Sequence, residues 1–151
     1  MAGSVERIVS QDVPASPDRV RDHYVDLDNI KDVHPLVASV VTLHRRESDD
    51  GYVHTYRVQD RIPLGPATLP ISYTATLRVP RSGPVLTEAR QFPAVRLDGV
   101  VSFDPIPAGT RLTERIRISA PWPLLGMTAR QAVAAHAEML AGIRRHFEAR
   151  G

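Results

Sequence analysis

The stretch "TARQAVAAHAEMLAGIRRHF" (128–147) sets the architecture of the whole chain. Ala129, Val133, Leu140, Ile143 and Phe147 recur at spacings of three and four, which predicts an amphipathic helix with one stripe facing a core. His136 falls on the same stripe and, at ~100° per residue, points away from Glu138 in the middle of the polar face. An imidazole at the centre of an apolar face needs a partner or water. The stripe is therefore either a core with one satisfied histidine or the wall of a pocket.

Working outward, "APWPLLG" leads into this helix, and from Leu36 to Ala120 the pattern changes to period two. Turn clusters interrupt it at "SDDG" (48–51), "PLGP" (63–66), "RSGP" (81–84) and "DPIPAG" (104–109). Short connections between alternating runs predict six antiparallel strands in a meander. Ahead of them "VERIVSQDV" (5–13) alternates as a first strand. "PASPDRVRDHYVDL" then predicts a helix with Ser16 as N-cap, Pro17 at its first position and Asp18 in its first turn. A second short helix is expected through "LDNIKDV", ending before Pro35. The expected fold class is α+β: a seven-stranded antiparallel sheet, two short helices after strand 1 and one long C-terminal helix. A strongly curved sheet covers such a helix only partly, and the remaining space is a cavity.

Composition narrows the chemistry. With 151 residues, 42% of them hydrophobic and 24% charged, one domain spanning 1–151 is expected. The absence of cysteine excludes disulfides, thiolate nucleophiles and thiolate metal sites. The N-terminal "MAGSVERIVSQDV" has no long apolar run, so neither a signal peptide nor a membrane span is expected there, and the cytoplasm is the default compartment. Net charge is only +2 and the one lysine is Lys31. The basic pairs Arg45-Arg46 and Arg144-Arg145 read as solvated edges, and no nucleic-acid partner is expected. The six histidines include no HExxH, and no Gly-rich phosphate loop or GxSxG elbow occurs. Neither a metal nor a cofactor is expected, and the oligomeric state is left open.

"VSQDVPASPDRVRDHYVDLDNIKDVHPLVASV" (9–40) and "GTRLTERIRISAPWPLLGMTARQAVAAHAEMLAGIRRHFE" (109–148) carry a resemblance. The chain resembles the helix-grip superfamily of START lipid-transfer domains, the birch-pollen-allergen fold and the polyketide cyclase/dehydrase group (SRPBCC). Many relatives carry a tryptophan just before the segment matched by His34-Pro35, where this chain has Val33; its one tryptophan, Trp122, precedes the last helix. The resemblance implies a curved sheet wrapped around the C-terminal helix. It also implies either a cofactor-free polyketide cyclase, dehydratase or isomerase, or a non-catalytic carrier.

Strand alternation sorts side chains by face. On 52–62 the inward set is Tyr52, His54, Tyr56, Val58, Asp60 and Ile62. On 67–79 it is Leu69, Ile71, Tyr73, Ala75, Leu77 and Val79. On 95–103 it is Val95, Leu97, Gly99, Val101 and Phe103, and on 111–118 Leu112, Glu114, Ile116 and Ile118. The strand 85–92 does not sort, because Leu86 and Phe92 share a face with Glu88 and Arg90. Asp60, Glu114 and His136 thus stand where apolar residues belong, and three such placements point to a wet, functional cavity.

Each placement has a plainer alternative. Asp60 could sit at the rim and pair with an arginine, and a bulge would turn Glu114 outward. His54, near a hairpin end, is expected in solvent, with Tyr52 packing beside it. His34 is expected to cap the short helix, and Leu124, Leu125 and Met127 to join the core or a flexible mouth.

As an enzyme, the chain would use His136 or Glu114 as base, Asp60 as partner or acid, and Tyr73 or Tyr56 as hydrogen-bond donor. The expected ligand wall comprises Tyr56, Tyr73, Val58, Leu97, Val101, Phe103, Ile116, Val133 and Leu140, holding a hydrophobic, carbonyl-rich small molecule. The alternative is a carrier or sensor of a lipid, quinone or pigment, in which the polar groups only orient the ligand. A protein-docking module through the sheet edge or "PWPLLGM" ranks last.

Overall fold

The computed structural model describes residues 2–91 and 94–150. Its sheet is built on β7 (Gly109–Pro121). Leu112, Glu114, Ile116, Ile118 and Ala120 are buried while Arg111, Arg115 and Arg117 face outward, as period two demands. β1 (Ala2–Val13) pairs along one side of β7 and β6 (Val95–Ile106) along the other, both antiparallel and in unbroken register. Glu114 therefore keeps its inward direction between Val9 and Val101.

β2 (Val37–Ser48), β3 (Gly51–Leu64), β4 (Ala67–Pro80) and β5 (Val85–Gln91) complete a seven-stranded sheet in the order β1-β7-β6-β5-β4-β3-β2. All ladders are antiparallel, and the two register shifts both lie in the β2–β3 pair. The β6–β7 hairpin turns at Gly109, whose φ of 143° brings its Cα against the Val13 carbonyl; a Cβ there would lie 2.3 Å from that oxygen.

α1 (Pro17–Val25) and α2 (Leu27–Ile30) follow β1, as the sequence predicts. Ser16 is the N-cap of α1, but its hydroxyl makes no capping hydrogen bond; Asp26 caps α2 by accepting from the Asp28 amide at 3.0 Å. The last helix, α3 (Trp122–Glu148), begins earlier than the periodicity suggests. Pro123 permits this because the first helical residues donate no intrahelical bond. Leu125 enters the core, whereas Trp122, Leu124 and Met127 are exposed.

Within the sheet-helix sandwich, α3 approaches β1 and β7 most closely. Leu112, Ile118, Leu140, Ile143, Val13 and Val20 pack there without solvent. Val33 reaches α3 at Gly142, where an added Cβ would sit 2.8 Å from the valine's own. Further along, the sheet curves away from the helix, and β3, β4 and β5 face it across open space.

The strand that alternation could not sort turns Val85, Thr87, Ala89 and Gln91 inward or to partial cover, with Leu86 and Arg90 outside. Glu88 pairs with Arg90 at 2.5 Å and Arg96 at 3.0 Å. A salt-bridge ladder around one outward leucine is what concealed the pattern; Phe92 lies outside the described residues. Among the described residues no helix is long and apolar enough to cross a membrane.

Candidate functional site

The space between α3 and the curved sheet is a cavity of about 190 Å³. Its apolar wall includes Leu27, Ile30, Val40, Val58, Leu97 and Met139, and its polar wall includes Tyr24, His34, Asp60, Tyr73, Glu114 and His136.

At its centre Glu114, only 2% exposed, is held from two sides. The Tyr24 hydroxyl donates to Oε2, and His136 Nδ1 lies 2.9 Å from Oε1. With Glu114 ionised, Nδ1 carries the hydrogen of this bond, leaving Nε2 for a ligand. Burial disfavours the imidazolium, but the charge and hydrogen bond of Glu114, with Asp60's charge, more than offset it, so His136 holds its proton above the ordinary histidine range. Burial, then Glu114's charge and hydrogen bond, keep the Tyr24 phenol protonated. The network thus raises the proton affinity of a buried imidazole beside a carboxyl group held from two sides.

Asp60 lies on the same cavity wall. Burial pushes its carboxyl up to about 6, opposed by a hydrogen bond from Tyr73 and by the charge of His136. Its Oδ1 is buried and has no hydrogen-bond partner among the described residues. It is not a rim residue with an arginine partner. Tyr73's phenol is raised by burial and by neighbouring Asp60, so it remains a donor.

Three sequence-predicted groups, Asp60, Glu114 and His136, therefore line one cavity, and two of them touch. Of the expected ligand wall, Tyr73, Val58, Leu97 and Ile116 line it. Tyr56, Val101, Phe103, Val133 and Leu140 are not on that wall. Tyr56 is buried, stacks on His54 at 3.9 Å and donates to the Val25 carbonyl at 3.4 Å. Val101 and Leu140 lie in solid core, Val133 packs against that core, and Phe103 meets the edge of Tyr24 at 5.8 Å. An inward direction is common to core and cavity; only the distance to α3 separates them.

His54 is half-buried rather than in solvent, within 3.0 Å of the Thr42 hydroxyl, and Tyr52 lies under the Arg45 guanidinium. Two site residues escaped the sequence reading. Tyr24 is inward by its i, i+4 spacing from Val20, but its bond to Glu114 spans 90 residues. His34 does not cap α2, whose C-cap is Lys31; its Nδ1 instead accepts from the downstream Leu36 amide at 3.3 Å. It also packs edge-to-face with His136, ring centres 5.5 Å apart, and both rings line the cavity.

A curved antiparallel sheet gripping a long C-terminal helix around such a cavity defines a START-like, helix-grip protein. The chain belongs to the polyketide cyclase/dehydrase and lipid transport family, which matches residues 5–148. Among solved structures it is similar to TTHA0849 from Thermus thermophilus, with 19% identity and a TM-score of 0.71 over 100% of this chain and 99% of that one. It is similar to the Zhui aromatase/cyclase from Streptomyces sp. R1128, with 15% identity and a TM-score of 0.73 over 99% and 96% of the two chains. A START superfamily protein from Mycobacterium smegmatis gives 16% identity and a TM-score of 0.72 over 98% and 99%. At these identities the likeness concerns the fold. No curated protein matches the chain.

Proposed function

We propose that the protein binds a hydrophobic, carbonyl-rich small molecule in this cavity and dehydrates or cyclises it by acid–base chemistry. The observation that carries the reading is the pairing of His136 with buried Glu114 in a cavity that also holds Asp60, whose Oδ1 has no partner among the described residues. Burying unpaired charge costs stability, and its retention beside an open cavity is the mark of a working site.

The roles divide as follows. Near neutral pH Asp60, raised to about 6, is largely a carboxylate, and Glu114 raises the proton affinity of His136, so the proposed cycle starts with a base and a protonated imidazole in one cavity. In a β-hydroxy ketone, Asp60 takes the proton beside the carbonyl and a carbon–carbon double bond forms. The β-hydroxyl leaves with the proton from His136 Nε2 as water. The proton on Asp60 then returns to His136, directly or through water, and restores both groups. Tyr73 donates to the carbonyl oxygen as charge builds there. Glu114 and Tyr24 act through His136 as positioning residues, and the apolar wall folds the chain of the substrate. This carbonyl chemistry is what the family's cyclase/dehydrase members suggest.

The apolar share of the wall also suits a carrier, and one experiment separates the two. Native mass spectrometry is run on wild type, His136→Leu and Glu114→Gln purified from one host. The proposal expects wild type empty or holding a dehydrated species, with His136→Leu retaining a species heavier by one water. The same ligand, unchanged in all three, would establish a carrier.

A further inference from the structure

His34 is the one imidazole of the cavity that the acid–base scheme leaves unused. Its ring stands nearly perpendicular to that of His136, at 81° with centres 5.5 Å apart. Its Nδ1 accepts the Leu36 amide hydrogen, which fixes the ring hydrogen on Nε2. Burial and the adjacent His136 charge push its titration down to about 3, so it stays uncharged across the neutral range. One imidazole facing the cavity thus has its proton affinity raised by Glu114, and the other is a neutral N–H donor.

We propose that His34 and His136 form a two-imidazole clamp for a single ligand oxyanion, so that the cavity selects planar enols and phenols bound as their anions. The proposal rests on the acid–base reading of the cavity and names the oxygen chemistry it recognises. Two imidazole donors that share one ligand oxygen act more strongly in a buried site than they would in bulk water.

The charges on the wall fix where the proton goes. Of the acidic residues that border the cavity, Asp60 and Glu114 are on inward positions, while Glu88 shares the outer face of β5 with Leu86 and Arg90. Glu88 is paired with Arg90 and Arg96, and Glu114 with His136 and Tyr24. Asp60 therefore receives the proton. The ligand O–H bond breaks, its hydrogen moves to the Asp60 carboxylate, and the electron pair stays on the oxygen, which sits on the cavity side of the imidazole pair. Tyr73, protonated, stands beside Asp60.

The test uses para-nitrophenol, which is yellow only as its phenolate. Spectra are recorded with the full chain at a pH where the free probe is mostly neutral. Two variants separate the functions of His34. In His34→Asn the side-chain oxygen still accepts from the Leu36 amide, but nothing reaches the position of Nε2. In His34→Gln an amide N–H stands near that position.

The clamp predicts a phenolate band for wild type, loss of that band with at least about tenfold weaker binding for His34→Asn, and partial recovery for His34→Gln. A folded His34→Asn with the wild-type band, or a folded His34→Gln without any band, overturns the clamp while leaving the acid–base reading intact. Wild type that binds the probe only as neutral phenol, or not at all, overturns both.

Discussion

The two ends of the interface between α3 and the sheet are made from the same elements and behave differently. On β7, Leu112 and Glu114 are successive inward positions, both buried. On α3, Leu140 follows His136 by one turn. At the Leu112 end the helix rests on β1 and β7, and Leu140, Ile143 and Phe147 fill the space. At the Glu114 end the sheet has curved away, and the gap is lined by groups that hold charge. Close packing stabilises the first region, whereas the second sets proton affinities and is stabilised only as far as its polar groups find partners. The chain combines a closely packed region with one whose buried polar groups lower stability and keep a cavity open.

The largest expected effect lies at the solid end. Ile143→Ala, at a fully buried site, should cost about 2–5 kcal/mol in denaturant unfolding while the folded protein keeps the titration of His136. An altered His136 titration would break the division.

Asp60→Asn should have the opposite sign. Folding raises Asp60 from 3.8 to about 6, so the folded protein binds this proton more tightly than the unfolded chain does. That contribution is complete below pH 3.8 and is lost as pH rises through about 6. A rise of about two pKa units is worth roughly 3 kcal/mol, so the variant should gain on wild type by up to that amount between about pH 4 and pH 7. Unfolding curves at a series of pH values check it; parallel curves would show that Asp60 is not strained.

Tyr24→Phe sharpens the comparison by a smaller step. It leaves Glu114 Oε2 without its donor, at a cost of about 1–3 kcal/mol, and should leave the fold and the Ile143 cluster unchanged by NMR. A neutral outcome would mean that Glu114 is hydrated rather than held by the phenol.

The smallest effect is expected outside both regions. Arg117 reaches Glu6 at 3.5 Å with both side chains more than half exposed. Arg117→Ala should leave stability within about 0.5 kcal/mol. A larger change would move weight from the sheet–helix interface to the outer face.

Much of this arrangement was legible in the sequence because two periodicities carried it. Alternation in β3, β4, β6 and β7 placed Asp60 and Glu114 inward, and the helical stripe placed His136. β5 resisted because Leu86 and an ion-pair ladder share its outer face. Tyr56, Val101 and Leu140 were assigned to the ligand wall because a period reports direction and not depth. Tyr24 and His34 were missed because their roles depend on how the segment from α1 to β2 folds back over the sheet, a long-range outcome that no local spacing encodes.

The central claim is that Glu114 keeps His136 charged inside the cavity. An NMR titration of the histidine ring nitrogens in wild type and Glu114→Gln tests it directly. The account predicts that His136 loses its proton above the ordinary histidine range in wild type, and that Glu114→Gln brings it below that range because burial, the largest single influence, is then opposed only by the smaller effect of Asp60's charge. A His136 that titrates at or below the ordinary range in wild type, unmoved by Glu114→Gln, would contradict the account.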